Sequence, residues 1–249
     1  MPLVAPVVAL LAALPLAACS FHSDDGDSRP GVAGAGSGTT RSFAVTDFSG
    51  VDLRGADNVD VRVGTGFSVR AEGPSDQLDR LKIEKVGTTL RVGRVNTLGF
   101  NWGSGDQGSV TIFVTMPRIA EASIAGSGDM AIDRVEGQNF TGATAGSGDL
   151  DVAALNVQSG DFSIAGSGDM RMKGSAKRLK MNIAGSGNID ARGVKAEGAD
   201  VAVAGSGNVR AEVTGPARVS VMGSGDVDLG TGARCTTSKM GSGDVHCGG

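Results

Sequence analysis

Seven of the eight copies of the tetrapeptide Gly-Ser-Gly-Asp/Asn carry a column of oxygen-bearing side chains at near-constant spacing; the copy at 103–106 lies 23 residues before the first of them, lacks the flanking alternation and is not counted as a rung. The seven copies begin at residues 126, 146, 166, 185, 205, 223 and 241. Their fourth residues are Asp129, Asp149, Asp169, Asn188, Asn208, Asp226 and Asp244. Calcium takes about six to eight oxygen ligands, and one side chain per repeat supplies too few. We therefore expect each oxygen to accept a backbone amide of its own turn, with loose counterions as an open addition.

The sequence offers little catalytic chemistry beyond this column. The two histidines are His22 and His246, and neither belongs to a recognisable nucleophile–base arrangement. Four further carboxylates are predicted to face outward: Asp161, Asp190, Asp200 and Asp228. Outward Asp residues on a repeat protein are usually solvated surface. We predict no catalytic residues, no metal site and no cofactor.

Cys235 and Cys247 lie six residues before and six residues after Gly241, in the last repeat. Exported proteins meet oxidising conditions, so we expect these two cysteines to form a disulfide that closes the end of the repeat array. Two buried free thiols are the alternative. Metal ligation by Cys247 with His246 lacks enough ligands.

The elements that must position these residues are short strands. Large apolar residues stand two positions before and just after most copies of the motif, and small or polar residues lie between them. The residues before the motif are Ile124, Thr144, Ile164, Ile183, Val203, Val221 and Lys239, and those after it are Met130, Leu150, Met170, Ile189, Val209, Val227 and Val245. A period of about twenty residues is typical of a solenoid. The sequence predicts an all-β fold, a parallel and right-handed β-helix.

The first half of the chain contains less regular alternation, which predicts earlier rungs of the same coil and about ten rungs in all. The segments 48–55 (Phe-Ser-Gly-Val-Asp-Leu-Arg-Gly) and 59–61 (Val-Asp-Val) precede the tetrapeptide ladder. This combination resembles the putative auto-transporter adhesin, head GIN domain family of bacterial surface proteins. The resemblance implies an exported β-helical domain and no catalytic residues.

The amino-terminal segment predicts export to the cell envelope. Residues 2–18 are uncharged and mostly apolar, and Leu16-Ala17-Ala18-Cys19 resembles the lipobox of bacterial lipoproteins. That resemblance implies cleavage before Cys19 and lipidation of Cys19, and Ser20 resembles the outer-membrane sorting pattern. An ordinary signal peptide or an uncleaved helix are the alternatives. The predicted organisation is a signal peptide over 1–18, a lipidated tether over 19–40 and one β-helical domain over 41–249, irregular over 41–116 and regular over 117–249.

Two apolar features are candidates for contact surfaces. Phe100 and the single Trp, Trp102, lie in an irregular insertion between strand segments. Their rings either fold onto the coil or form an exposed contact loop. Met222 and Met240 replace the Ala that precedes the other five motifs. They either pack at the end of the rod or form a small contact patch.

The formal net charge is −4, and no block of basic residues is present, so nucleic acid is not an expected partner. We predict a non-enzymatic, lipid-anchored protein of the cell envelope, in which the rod acts in adhesion or as a spacer toward an unknown protein or glycan. The alternative is a carbohydrate-active enzyme. Clustered acidic residues beside a Lys or Arg in a cleft favour the enzyme, whereas a smooth face of small residues favours the rod.

Overall fold

The computed structural model describes residues 31–95 and 109–248, and this part of the chain is almost entirely β structure. The short helix α1 covers Ser75–Leu78. The strands are Thr40–Phe43 (β1), Gly50–Gly55 (β2), Asn58–Val63 (β3), Ser68–Glu72 (β4), Leu81–Val86 (β5), Thr89–Arg94 (β6), Thr111–Met116 (β7), Glu121–Gly126 (β8), Met130–Ile132 (β9), Val135–Gly146 (β10), Leu150–Gly166 (β11), Met170–Gly185 (β12), Ile189–Gly205 (β13), Val209–Val213 (β14), Pro216–Gly223 (β15), Val227–Asp228 (β16), Arg234–Gly241 (β17) and Val245–His246 (β18).

Parallel pairing places each repeat on the one before it. The first glycines of the seven tetrapeptides are register partners in unbroken succession, from Gly126 with Gly146 to Gly223 with Gly241. Like residues therefore lie over like residues. The predicted β-solenoid, with rungs of about twenty residues, is confirmed, and the coil has about six turns. Its right-handedness stays a prediction.

Each rung is built from three legs, which the burial pattern of β11 shows. Buried residues alternate with exposed or half-buried ones at 150 and 152 (leg 1), 155 and 157 (leg 2), and 160, 162 and 164 (leg 3). Two outward residues in succession mark the two corners between these legs, at 153–154 and 158–159. The third corner is the tetrapeptide. A narrow triangular interior follows, and it takes side chains from all three legs.

The predicted inward columns form the core. Every residue named for the two columns is buried except Lys239, which is exposed, and Val245, which is half-buried. Phenylalanine rings fill the interior next to rungs that have a glycine at an inward-facing position. The Phe162 ring packs against Phe140 at a centroid distance of 5.9 Å. A Cβ on Gly142 would lie 2.9 Å from the Phe162 Cδ1, so the missing side chain at 142 makes room for this ring.

The first half of the chain differs from the predicted series of rungs. Strands β2 and β3 form one rung, which pairs in parallel with β8 and β9 on one side and with β6 and β7 on the other. The layers are therefore stacked out of chain order. Strands β1, β4 and β5 pair antiparallel, β5 with β6 and β4 with both β1 and β7. The expectation of about ten rungs is wrong, because part of 41–116 closes the coil's first end with antiparallel strands.

The amino-terminal predictions fall largely outside the described residues. The signal peptide over 1–18, Cys19 and most of the tether lie there, as do Phe100 and Trp102. Residues 31–40 belong to the predicted tether, yet the Val32 amide donates to the Ile83 carbonyl at 2.7 Å and Ala35 pairs with Ser42. The chain thus contacts the domain about ten residues earlier than predicted. Within the described ranges, no helix has the length and apolarity needed to cross a membrane.

The second end of the coil is open. Strand β17 pairs with β15 on one side only, and seven of its eight residues are exposed. Thr237 and Lys239 occupy the inner columns over Val219 and Val221. Cys235 and Cys247 form a disulfide across this last rung. Polar inner residues and a covalent link therefore replace the apolar layer that every middle rung receives from its neighbour.

Candidate functional site

The repeated corner explains why both of its glycines are needed, for two different reasons. The first glycine has positive φ throughout, for example 131° at Gly146. The third glycine does not have positive φ, but a Cβ on Gly148 would lie 2.1 Å from the Gly128 carbonyl oxygen. That oxygen belongs to the rung before it, so only glycine allows the corners to stack at strand spacing. The third position is therefore glycine because of this close approach and not because of positive φ.

The Asp/Asn column is a hydrogen-bond ladder that runs between rungs. From Asp129 to Asp226, each Oδ1 accepts the backbone N–H of the equivalent residue one rung further on, rather than an amide of its own turn. The Asp149 amide donates to Asp129 Oδ1 at 2.9 Å, and the Asp244 amide donates to Asp226 Oδ1 at 2.8 Å. The intermediate steps, at Asp169, Asn188, Asn208 and Asp226, have the same geometry at 2.8–3.2 Å.

The ladder has one more member at its start than the sequence predicts. Asn58 Oδ1 accepts the Asp129 amide at 3.1 Å. Asn58 ends the segment Gly55-Ala56-Asp57-Asn58, and Gly55 is the register partner of Gly126. This segment is a degenerate copy of the tetrapeptide, 71 residues before the copy at Gly126 on which it stacks. The glycine after the alternating residues 51 and 53, followed three positions later by Asn, is the signal that could have identified it.

Backbone and side-chain groups at the corner satisfy one another. The Gly126 carbonyl accepts both the Ser147 amide at 2.9 Å and the Gly148 amide at 3.2 Å. In the middle of the ladder the Asn188 Nδ2 donates to Asp169 Oδ1 at 2.9 Å, and the Asn208 Nδ2 repeats this contact with Asn188. Over 31–95 and 109–248, no group of three or more His, Cys, Asp or Glu side chains could hold a metal ion. The column oxygens are acceptors within the fold.

Arg171 lies between carboxylates of the ladder and of leg 1. Its Nη1 is 3.1 Å from Asp149 Oδ2 and 3.9 Å from Asp151 Oδ1, and its Nη2 is 2.9 Å from Asp169 Oδ2. The hydrogen bond with Asp149, then the nearby carboxylate charges, raise the pKa of Arg171. All four side chains are about 29–56% exposed. The cation offsets the repulsion of stacked carboxylates at the surface.

The other predicted outward carboxylates are paired at the surface. Asp161 accepts from Lys180 at 3.0 Å, and Asp200 accepts from Arg218 at 3.5 Å. Asp190 accepts from Arg192, and this hydrogen bond lowers the pKa of Asp190 below its ordinary value. Asp228 Oδ1 accepts the Gly230 amide at 3.1 Å. The four residues do not form one cluster, because Asp161 and Asp200 lie two rungs apart on leg 3 and Asp190 and Asp228 lie two rungs apart on leg 1.

The outer side of leg 3 presents a column of small residues, and we call it the leg 3 face. Its middle column holds small residues, with Asn as the largest: Ser123, Ala143, Ser163, Asn182, Ala202, Ser220 and Ser238. A charged or polar column flanks it on one side, and on the other an Ala column that ends in Met222 and Met240. These two methionines are register partners and are 61% and 71% exposed. A shallow groove on this face is lined by residues that include Asp200, Ala202, Arg218 and Ser220.

A buried ionic group joins the first corner to the layer beneath it. Asp57 is 1% exposed. Its Oδ2 accepts from Arg94 Nε at 2.9 Å, and its Oδ1 accepts the Val110 amide at 3.1 Å. Arg94 also donates to Gln77, which is buried. The hydrogen bond with Asp57 is the main cause that raises the pKa of Arg94. The sequence analysis missed this group because its members are far apart in sequence.

Comparison with known proteins gives a family and a fold. Residues 47–232 match the family described as "Putative auto-transporter adhesin, head GIN domain". No curated protein matches the sequence. A putative adhesin from Bacteroides fragilis is similar in structure, with a TM-score of 0.77 and 22% identity over 84% of this chain and 95% of that one.

Two solved structures from Parabacteroides distasonis share the fold. A putative lipid binding protein has a TM-score of 0.66 and 23% identity, over 86% of this chain and 98% of that one. A putative adhesin has a TM-score of 0.66 and 18% identity, over 84% of this chain and 96% of that one. At these identities the similarity establishes the solenoid and not a shared ligand.

Proposed function

Because the chain belongs to the putative auto-transporter adhesin, head GIN domain family, we propose that it is a non-enzymatic binding protein of the cell envelope. A lipid on Cys19 anchors it, and the coil contacts a protein or glycan partner. The observation that carries this function is the leg 3 face, on which strands stack in register and present a continuous column of small residues. The middle column of this face is long, rigid and free of bulky side chains, and so suits contact with another surface.

The leg 3 face is the side of the coil that we assign to the partner. Ala202 is exposed on its middle column, and its neighbours in that column, Asn182 and Ser220, are small or polar. A bulky charged residue at 202 would therefore stand in the middle of the contact without touching the core. Ala153 is exposed at a corner on another side of the same coil and provides the matched control.

The test uses the full chain with Cys19→Ser, so that no lipid contributes to binding, and immobilised envelope fragments as the probe. We expect Ala202→Arg to weaken binding about tenfold, as is typical when a side chain clashes at the centre of an interface. Ala153→Arg should bind like the parent. Equal binding by both variants would show that the leg 3 face is not the contact surface, and absence of binding by the parent would count against adhesion itself.

The lipid anchor has its own test. Cells that express the full chain are grown with an alkyne fatty acid, and label is followed on the protein and in membrane fractions. We expect Cys19→Ser to lose the label and to leave the membrane fraction, while Cys235→Ser keeps both. Stable anchoring needs more than one acyl chain, so the label should exceed one chain per protein. Label retained by Cys19→Ser would contradict lipidation at this residue.

Arg171 supports the second candidate, a carbohydrate-active enzyme. Three carboxylates lie within 4 Å of its guanidinium, at Asp149, Asp151 and Asp169. Acid–base catalysis of sugar cleavage uses such groups when they line a substrate cleft. If this candidate holds, the full chain releases reducing ends from envelope polysaccharide and Arg171→Ala does not. If both proteins release reducing ends only at the background rate, the result would count against the enzyme.

A further inference from the structure

The last rung is held to the coil in a different way from the other regular rungs. Seven of the eight residues of β17 are exposed, whereas β15, directly beneath it, has alternate residues buried. The inner positions of β17 include Thr237 and Lys239, which contribute little apolar area. Among the residues described in this rung, the apolar contacts with the core come from the buried Ala233 and from the partly buried Cys235, Val245 and Cys247. The rung is therefore weakly attached by packing.

The disulfide sits where the missing apolar layer would be. Cys235 is the register partner of Ala217, which is buried. His246 pairs with Asp228, so Cys247 lies level with Leu229, which is 0% exposed. The sulfurs thus join the start of leg 3 to the end of leg 1 over the interior of the coil. A covalent link at this place restrains both strands of the rung at once.

A hinge precedes the rung. Gly230 has φ of 74°, and Thr231 and Gly232 follow it in a turn between β16 and β17. Besides the parallel pairing of β17 with β15 and of β18 with β16, the hydrogen bonds that fasten the rung include four donated by its backbone amides: Arg234 to the Gly215 carbonyl, Ser242 to the Gly223 carbonyl, Asp244 to the Asp226 side chain and Gly248 to the Gly230 carbonyl. All four lie at an exposed end, where backbone hydrogen bonds open most readily.

From this arrangement we propose that the Cys235–Cys247 disulfide is a redox-controlled clasp for the last rung. In the oxidised protein the rung covers the interior. When the bond is reduced, residues 231–248 detach at the Gly230 hinge and uncover Val219, Val221 and Leu229. The free edge of β15 is exposed at the same time, and such an edge readily accepts another strand. This proposal goes beyond the proposed adhesion, because it makes the attachment of the last rung depend on thiol–disulfide exchange.

The exchange is balanced by a dithiol reductant. One thiolate of the reductant attacks a cysteine sulfur, and its second thiol completes the exchange. The protein S–S bond is broken, two cysteine thiols form, and the dithiol becomes a cyclic disulfide, so two electrons and two protons pass to the protein. Both cysteines are half-buried rather than buried, so a small reductant can reach them.

Hydrogen exchange of the full chain, with and without dithiothreitol, tests the clasp. We expect amides over 234–248 to exchange at least about tenfold faster after reduction, while amides of β12 and β13 keep their rates. Mass after alkylation verifies that both thiols are free. The double variant Cys235→Ser, Cys247→Ser should exchange fast with or without the reductant. Cys19→Ser, studied in parallel, excludes an effect of reductant at the remaining cysteine.

Two outcomes would overturn the proposal. If fully reduced protein keeps the oxidised protection over 234–248, packing and hydrogen bonds hold the rung without the disulfide. If amides of β12 and β13 accelerate as much as those of β17, the bond stabilises the whole coil and is not a local clasp. Binding of an apolar fluorescent dye gives a second readout, because a detached rung uncovers the buried valines and Leu229.

Discussion

At the scale of the residue, the Asp/Asn column matters because each side chain supplies one oxygen to the next rung. Asp129 Oδ1 accepts the Asp149 amide, and Asn188 Oδ1 accepts the Asn208 amide in the same way. Asp and Asn are interchangeable as acceptors, which explains why both occur in one column. Their charges are a cost that Arg171 partly offsets on the rungs where it lies.

Asp129 separates the role of the oxygen from the role of the charge. We expect Asp129→Asn to change the free energy of unfolding by less than about 0.5 kcal/mol, because Asn keeps the acceptor. Asp129→Ala should cost about 1 kcal/mol, because the Asp149 amide loses its partner. Urea denaturation measures both.

The matched control is Asp151→Ala. Asp151 faces outward on the next rung, and its contact with Arg171 is long, at 3.9 Å. Its loss should change stability by less than about 0.5 kcal/mol. An Asp129→Asn variant as unstable as Asp129→Ala would contradict the acceptor role and point to a need for negative charge.

At the scale of the element, the two ends of the coil are closed by different means. The first end uses antiparallel strands β1, β4 and β5 and the buried Asp57. Asp57 occupies the position that glycine holds in the regular corners. Its carboxylate binds Arg94 at the end of β6 and the Val110 amide just before β7. One side chain thus joins the first corner to two neighbouring strands.

Removal of the Asp57 charge should loosen this end. Asp57→Asn keeps the shape but leaves Arg94 without its carboxylate in a partly buried place, so we expect a loss of about 2–3 kcal/mol, below the full value for a fully buried pair. Guanidinium denaturation measures the loss. Asp161→Asn is the control, because its pair with Lys180 is exposed and should contribute less than about 1 kcal/mol. Equal losses for the two variants would show that the buried pair has no special role.

At the scale of the whole molecule, the regular part of the coil is a stack in which each rung contacts only its neighbours. Strand β12 pairs with β11 and β13, and its column residues have the same kind of partner on both sides. Stability in such a stack is the sum of rung and interface contributions. Rungs of equal length and register are therefore replaceable units.

This replaceability predicts that one complete rung can be removed. Deletion of 189–208 joins Asn188 to Val209, so the last residue of one tetrapeptide is still followed by the first residue of a leg 1. We therefore expect a folded coil with a lower melting temperature and a smaller urea m-value. Deletion of 189–198 removes half a turn, and the coil cannot close. Circular dichroism should show strand content in the first variant and its loss in the second. Two variants that unfold alike would contradict the independence of the rungs.

The sequence by itself determined the coil, because a period near twenty residues repeats the same inward and outward pattern and only in-register stacking buries it. It also placed the inward columns and the tetrapeptide corners, since these depend on neighbours within one repeat. The tertiary structure decided the rest. Asn58 meets Asp129 across 71 residues of chain, the antiparallel end strands interrupt the parallel stack, and Asp57 meets Arg94 between layers that are out of chain order. No local period encodes such contacts, because they arise only when distant segments pack together.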